Sequence, residues 1–112
     1  MPILLDECVP RRFRDNLPRH DVRTVREMGW SSLQNGELLA IAAGPFDVFV
    51  ATDQRLPYQR SLSKFAIAVV TLIARRNKLE FLAPLGPELL RALAGLKPGE
   101  ATRIGDPEAT KS

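Results

Sequence analysis

"ILLDECVP", residues 3–10, sets three consecutive apolar side chains, Ile3, Leu4 and Leu5, directly against two carboxylates, Asp6 and Glu7. An apolar run without alternation is the pattern of a strand buried on both faces, and such strands belong to parallel sheets. The acids then mark the carboxyl end of that strand, where they are either solvated or hold a cation. Further apolar runs at 21–25, 47–52, 66–73 and, more weakly, 101–104 repeat the pattern.

Helical stretches separate these runs. Residues 10–17 fit a short helix with Pro10 near its start. Residues 35–44 predict a helix with Asn35 as N-cap, Glu37 in the first turn and Gly44 as its stop. The leucines of 79–96 have helical spacing, with Pro84 and Pro87 breaking the helix near its start. Alternation of strand and helix predicts one α/β domain with a mostly parallel sheet. No repeat or linker interrupts it, so residues 1–105 are expected to form the domain and the polar stretch 106–112 a frayed tail.

Composition narrows the function. A chain of 112 residues, 45% hydrophobic and 26% charged, has the make-up of an ordinary globular domain. No run has the length of a membrane span and the first residues lack a signal-peptide pattern, which predicts a cytoplasmic protein with no membrane partner. Cys8 is the single cysteine, which leaves no intrachain disulfide and no thiolate metal cage. His20, the single histidine, sits in a polar, turn-like stretch. The net charge of +3 permits a nucleic-acid partner. Arginines gather after the acidic pair (Arg11, Arg12, Arg14, Arg19), around the third run (Arg55, Arg60) and after the fourth (Arg75, Arg76).

In open parallel sheets, ligands bind beyond the carboxyl ends of the strands. That rule selects Asp6 and Glu7 after the first run, Asp53 after "VFVAT" and Asn77 after "IAVVTLIARR", with Glu37 at the start of the helix feeding the third run. Adjacent strand residues face opposite sides, which favours Asp6 over Glu7 as the inward acid. Clustered carboxylates raise one another's pKa unless a cation relieves them. Oxygen ligands without thiolate or imidazole suit magnesium or manganese, which activate water and neutralise charge in phosphodiester cleavage. Each residue also has a plainer reading: Glu37 complements a helix dipole, Asp53 suits a turn, Asn77 caps a helix, Gln59 lies on the surface, and Trp30 and Tyr58 belong to the core rather than to base stacking.

The runs "ILLDECVP", "VREMGWSSLQNGELLAIAAG", "FDVFVATDQRLPYQRSL", "IAVVTLIARRNKLEFLAPL" and "LKPGE" together resemble the small PIN-like domains grouped among predicted toxins of bacterial toxin–antitoxin modules, over about residues 2 to 105. The resemblance implies a PIN-like three-layer α/β/α sandwich and a magnesium-dependent endoribonuclease that is often neutralised by a cognate antitoxin and is often a homodimer. Matched motif by motif, Asp6 takes the acid ending the first strand, Asp53 the acid of a T-x-D motif, and Glu37 the acidic helix start. These three would be the catalytic, metal-holding residues. Glu7, Asn35, Gln59 and Asn77 would be auxiliary, and Arg11, Arg12, Arg55 and Arg75 would contact RNA phosphates. Two positions depart from the family: Asn35 and Arg55 stand where many relatives carry acids.

Two other readings compete. A catalytically degenerate PIN-like binding module would explain Asn35 and Arg55. A response-regulator receiver domain would use Asp6, Glu7, Asp53, Thr71 and Lys97, but residues 54–65 leave room for only about two helical turns before the fourth run. Lys97 also precedes the last run, where a receiver would have it follow.

Overall fold

Each of the five apolar runs forms a strand. In the computed structural model, which describes residues 1–33, 35–52 and 65–105, the order is β1 (Pro2–Leu5), a 3-10 helix (Arg11–Asn16), β2 (Asp21–Thr24), α1 (Asn35–Ala42), β3 (Val48–Ala51), β4 (Ala68–Ile73), α2 (Leu79–Leu82), a 3-10 turn (Ala83–Leu85), α3 (Gly86–Leu93) and β5 (Ala101–Gly105). The strands make one sheet in the order β2-β1-β3-β4-β5, and every pairing is parallel. The sheet is thus wholly parallel, where the sequence predicted it mostly so.

Burial follows position in the sheet. The central strands β3 and β4 are buried at every residue, whereas the edge strand β2 alternates exposed and buried. Ile3, Leu5, Val48, Val50, Val70 and Leu72 point to one face, where Phe13 and Leu17 near the 3-10 helix and Leu82, Leu89 and Leu93 of α2 and α3 cover them. Leu4, Phe49, Ala51 and Val69 point to the other, against Leu38, Leu39 and Ala42 of α1. Three layers result, with helices on both faces of the sheet.

Local chemistry shifts several predicted boundaries. The helix predicted over 10–17 is a 3-10 helix with Pro10 before it, closed by three-residue bonds such as Phe13 N–H to the Pro10 carbonyl at 2.9 Å. Pro18 disfavours helical geometry at the residue before it, and Leu17 sits at φ −125°, so the segment is too short for an α-helix. Asn35 is the first helical residue of α1 rather than the cap outside it, and the helix stops at Ala42, two residues before Gly44. Pro45 has no N–H to continue the ladder, and Gly44 is not among the glycines with positive φ. The prolines break 79–96 as expected: Pro84 and Pro87 each lie in the first turn of a new segment.

The connections differ in hand. From β2 to β3 and from β4 to β5 the chain advances across the sheet in the same direction, yet α1 packs on one face while α2 and α3 pack on the other. The β4-to-β5 connection therefore has the opposite hand to the β2-to-β3 connection. Crossovers between parallel strands overwhelmingly share one hand, so this one sets the molecule apart from a uniformly wound domain with the same strand order. It also brings α3 onto the 3-10 helix, where Gly86 approaches so closely that an added Cβ would lie 3.0 Å from the Cβ of Asn16.

Candidate functional site at the carboxyl edge of the sheet

The strand order reverses between β1 and β3: from β1 the chain moves outward to β2, then returns past β1 to β3. Such a switch point opens a crevice beyond the carboxyl ends of its two strands. Asp6 stands there. Its N–H donates to the Val50 carbonyl at 2.9 Å, extending the β1–β3 ladder by one residue and fixing the backbone at the crevice. Its carboxylate is half-buried, and Oδ2 accepts a hydrogen bond from Cys8 Sγ at 3.1 Å.

Cys8 also faces Thr52, the residue after β3. Burial pushes the Cys8 thiol up; the hydroxyl and backbone of Thr52 pull it down, and hydrogen bonding and charge at Asp6 push it up again. The protonated thiol is thus the form that suits the site, donating to Asp6. Thr52 Oγ1 lies close enough to favour a thiolate without forming a bond to the thiol, and it is buried with no hydrogen-bond partner among the described residues. The Thr52 hydroxyl and the oriented Asp6 carboxylate, both near Cys8, are oxygen donors of the kind a hard cation accepts.

The other predicted residues take distinct places. Glu7 is exposed in the turn after β1; because the strand has ended, exposure rather than strand alternation separates it from Asp6. Glu37 is exposed in the first turn of α1, which the crossover puts toward the same edge of the sheet. Arg75 and Asn77 are exposed beyond the carboxyl end of β4. Arg11 and Arg12 are exposed on the 3-10 helix beyond β1. Asp53, Arg55 and Gln59 lie outside the described residues, as does the predicted tail 106–112. Among the described residues no three of His, Cys, Asp and Glu converge as a metal-holding group.

A cleft of about 600 Å³ opens at this edge between the ends of β1 and β2, lined in part by Asp6, Glu7, Arg11, Thr24 and Arg26. Its far wall is a turn locked by reciprocal bonds: Thr24 N–H donates to Glu27 Oε1 at 2.9 Å, and Glu27 N–H donates to Thr24 Oγ1 at 3.0 Å. Arg14 of the 3-10 helix pairs with the same Glu27 oxygen. Sequence reasoning passed over Thr24, Arg26 and Glu27. The T-x-x-E spacing of "TVRE" was a readable signal of reciprocal capping; the placement of Arg26 opposite Arg11 depends on the pairing of β2 with β1 and had no local signal.

Trp30 is half-buried and meets Phe46 edge-to-face, with ring centroids 6.0 Å apart, which is a core contact as expected. Tyr58 lies outside the described residues. No described helix is long and apolar enough to cross a membrane. Compared with known proteins, the chain matches no family model, no curated protein and no solved structure.

Proposed function

We infer that the protein is a metal-dependent endoribonuclease whose reaction centre lies at the β1–β3 switch point. The observation that carries this reading is the half-buried Asp6 carboxylate, oriented by the Cys8 thiol at the mouth of a cleft that also holds Arg11 and Arg26. Asp6 would hold magnesium or manganese together with Glu37 and Asp53, the latter assigned from the sequence resemblance alone. The bound ion supplies a Lewis acid that activates water and neutralises charge on the phosphate. Cys8 keeps Asp6 Oδ2 fixed, Arg11 and Arg12 hold phosphate oxygens beside it, and Asn77 and Gln59 orient water or substrate. Arg55 and Arg75 add phosphate contacts on the β3 and β4 side. A PIN-like identity, a cognate antitoxin and a homodimer belong to the same reading and rest on the resemblance.

The deciding experiment is cleavage of a labelled mixed RNA pool by wild-type protein and Asp6→Asn, with magnesium, with manganese and with chelator. Metal-dependent cutting by the wild type that is lost in Asp6→Asn is the expected result. Folded protein that cuts under no metal supports the second reading, a degenerate binding module. That reading is favoured by Asn35 and Arg55 at positions where the resemblance leads one to expect acids.

The receiver reading finds less support. Lys97 is exposed just before β5, at the amino end of a strand parallel to β1 through the sheet, and so lies at the opposite edge from Asp6. The β4-to-β5 helices also cover the face opposite α1, where uniform winding would put them on the same one.

A further inference from the structure

Beside the cleft at Asp6 lie a small hollow lined by Arg11, Arg12, Arg14, Asp15 and Glu27 and a second cavity of about 590 Å³ toward the amino end of β2, where Arg14, Arg19 and Arg23 line the wall. Glu27 lines all three, so they neighbour one another along β2, a span of about 10 Å at strand rise; taken together they make a groove at this edge. Two of its arginines are spoken for: Arg14 pairs with Glu27, and Arg23 pairs with Asp21 at 3.1 Å. Arg11, Arg12, Arg19 and Arg26 have no ion-pair partner among the described residues. Beyond Asp6 and Glu7 at the reaction end, Asp15 is the remaining unpaired acid of the wall.

Arg19 adds an independent observation. It is the third residue of a turn closed by His20 N–H donating to the Leu17 carbonyl at 3.4 Å, and its φ is +73°. With Pro18 before it, this is the position that turns normally give to glycine or asparagine. A long cationic side chain held in a disfavoured conformation, exposed at the end of an arginine-lined groove, points to a use for that side chain.

We propose that this groove is a track for the phosphate backbone of single-stranded RNA, with Arg26 and Arg11 beside the reaction centre and Arg19 as the distal anchor. The track deepens the nuclease reading, on which it rests, by stating how the substrate lies across the molecule: along β2 and the 3-10 helix, away from β4 and β5.

The test is fluorescence anisotropy of a labelled single-stranded RNA of about twelve nucleotides, titrated with the full chain in chelator over a series of salt concentrations. Without metal the RNA stays intact, so binding is read apart from cleavage. The double variant Arg19→Gly/Arg26→Gln should bind more weakly, with the slope of log K against log salt falling by about 1.4, or ~0.7 per lost phosphate contact. Arg19→Gly alone should unfold at an equal or higher temperature than wild type, because glycine fits a positive φ, while still losing affinity. Arg91→Gln, an exposed change on α3 outside the groove, should alter nothing. An unchanged slope in the double variant, an equal loss in Arg91→Gln, or oligoglutamate binding as tightly as RNA would each overturn the track. Cleavage that fails while this binding pattern holds would overturn the nuclease reading and leave the track; intact cleavage with no dependence on Arg19 and Arg26 would do the reverse.

Discussion

Glu27 holds three partners from an exposed position: the Thr24 N–H, its own capping exchange with the Thr24 hydroxyl, and Arg14. The backbone bond from Thr24, aided by Arg14 and opposed by slight burial, lowers its pKa from the ordinary glutamate value. A depressed folded-state pKa contributes stability above the unfolded value, and that contribution disappears as pH falls through the folded one. Glu27→Gln should therefore cost stability at neutral pH, and its deficit against wild type should shrink on acidification below the ordinary carboxylate range. Urea unfolding of both proteins across that range measures the gap, and a gap independent of pH would refute the assignment. Cys8 runs the other way: burial, together with the Asp6 carboxylate, keeps its thiol protonated past the ordinary cysteine range. Iodoacetamide alkylation of Cys8 should show a raised midpoint, and Asp6→Asn should move it down by removing the acceptor and its charge. An unmoved midpoint would mean that burial alone holds the proton. At this scale legibility was uneven. Asp6 could be found because it directly follows an apolar run, whereas the strained turn at Arg19 depends on a backbone angle that "LPRH" does not announce.

At the scale of elements, α3 and β5 carry the second face of the sheet. Leu89 is fully buried among the side chains that cover Ile3, Leu5 and Val50, so Leu89→Ala should cost about 2–5 kcal/mol by denaturant unfolding. Gly105, paired with Ile73 at the end of β5, has φ +128°, and a Cβ there would run into the Ile73 carbonyl. Gly105→Ala should therefore lower the midpoint of thermal unfolding, by an amount equivalent to about 1–3 kcal/mol of backbone strain or more. An unchanged melting temperature would show that the strand end can slide away. The strands were legible because runs such as "DVFVAT" and "AIAVVTLI" lack alternation, and that absence is the mark of burial on both faces. Their ends shifted by one or two residues, since an apolar side chain such as Ile67 can be buried in the approach to a strand before its ladder begins. The face taken by α2 and α3 was not legible: leucine spacing in 79–96 says that a helix has an apolar stripe, not which side of a sheet the stripe meets.

For the whole molecule, one sheet with core on both faces ties early and late chain together, and no described segment has a core to itself. Unfolding should accordingly be a single transition, with Trp30 fluorescence, which reports the α1 face, coinciding with far-UV circular dichroism; separate midpoints would mean that the two faces come apart independently. The unusual hand of the last connection extends this dependence to the order of synthesis. Phe13 and Leu17, which seat the arginine-bearing 3-10 helix, share a layer with Leu82, Leu89 and Leu93, which leave the ribosome some seventy residues later. A nascent chain that has made Asp6 and the four arginines of the groove that have no ion-pair partner among the described residues still lacks the layer that holds them in line. The arginine-bearing edge is thus completed last although its residues are translated first, and a chain halted before α3 would carry the side chains of the site without its shape.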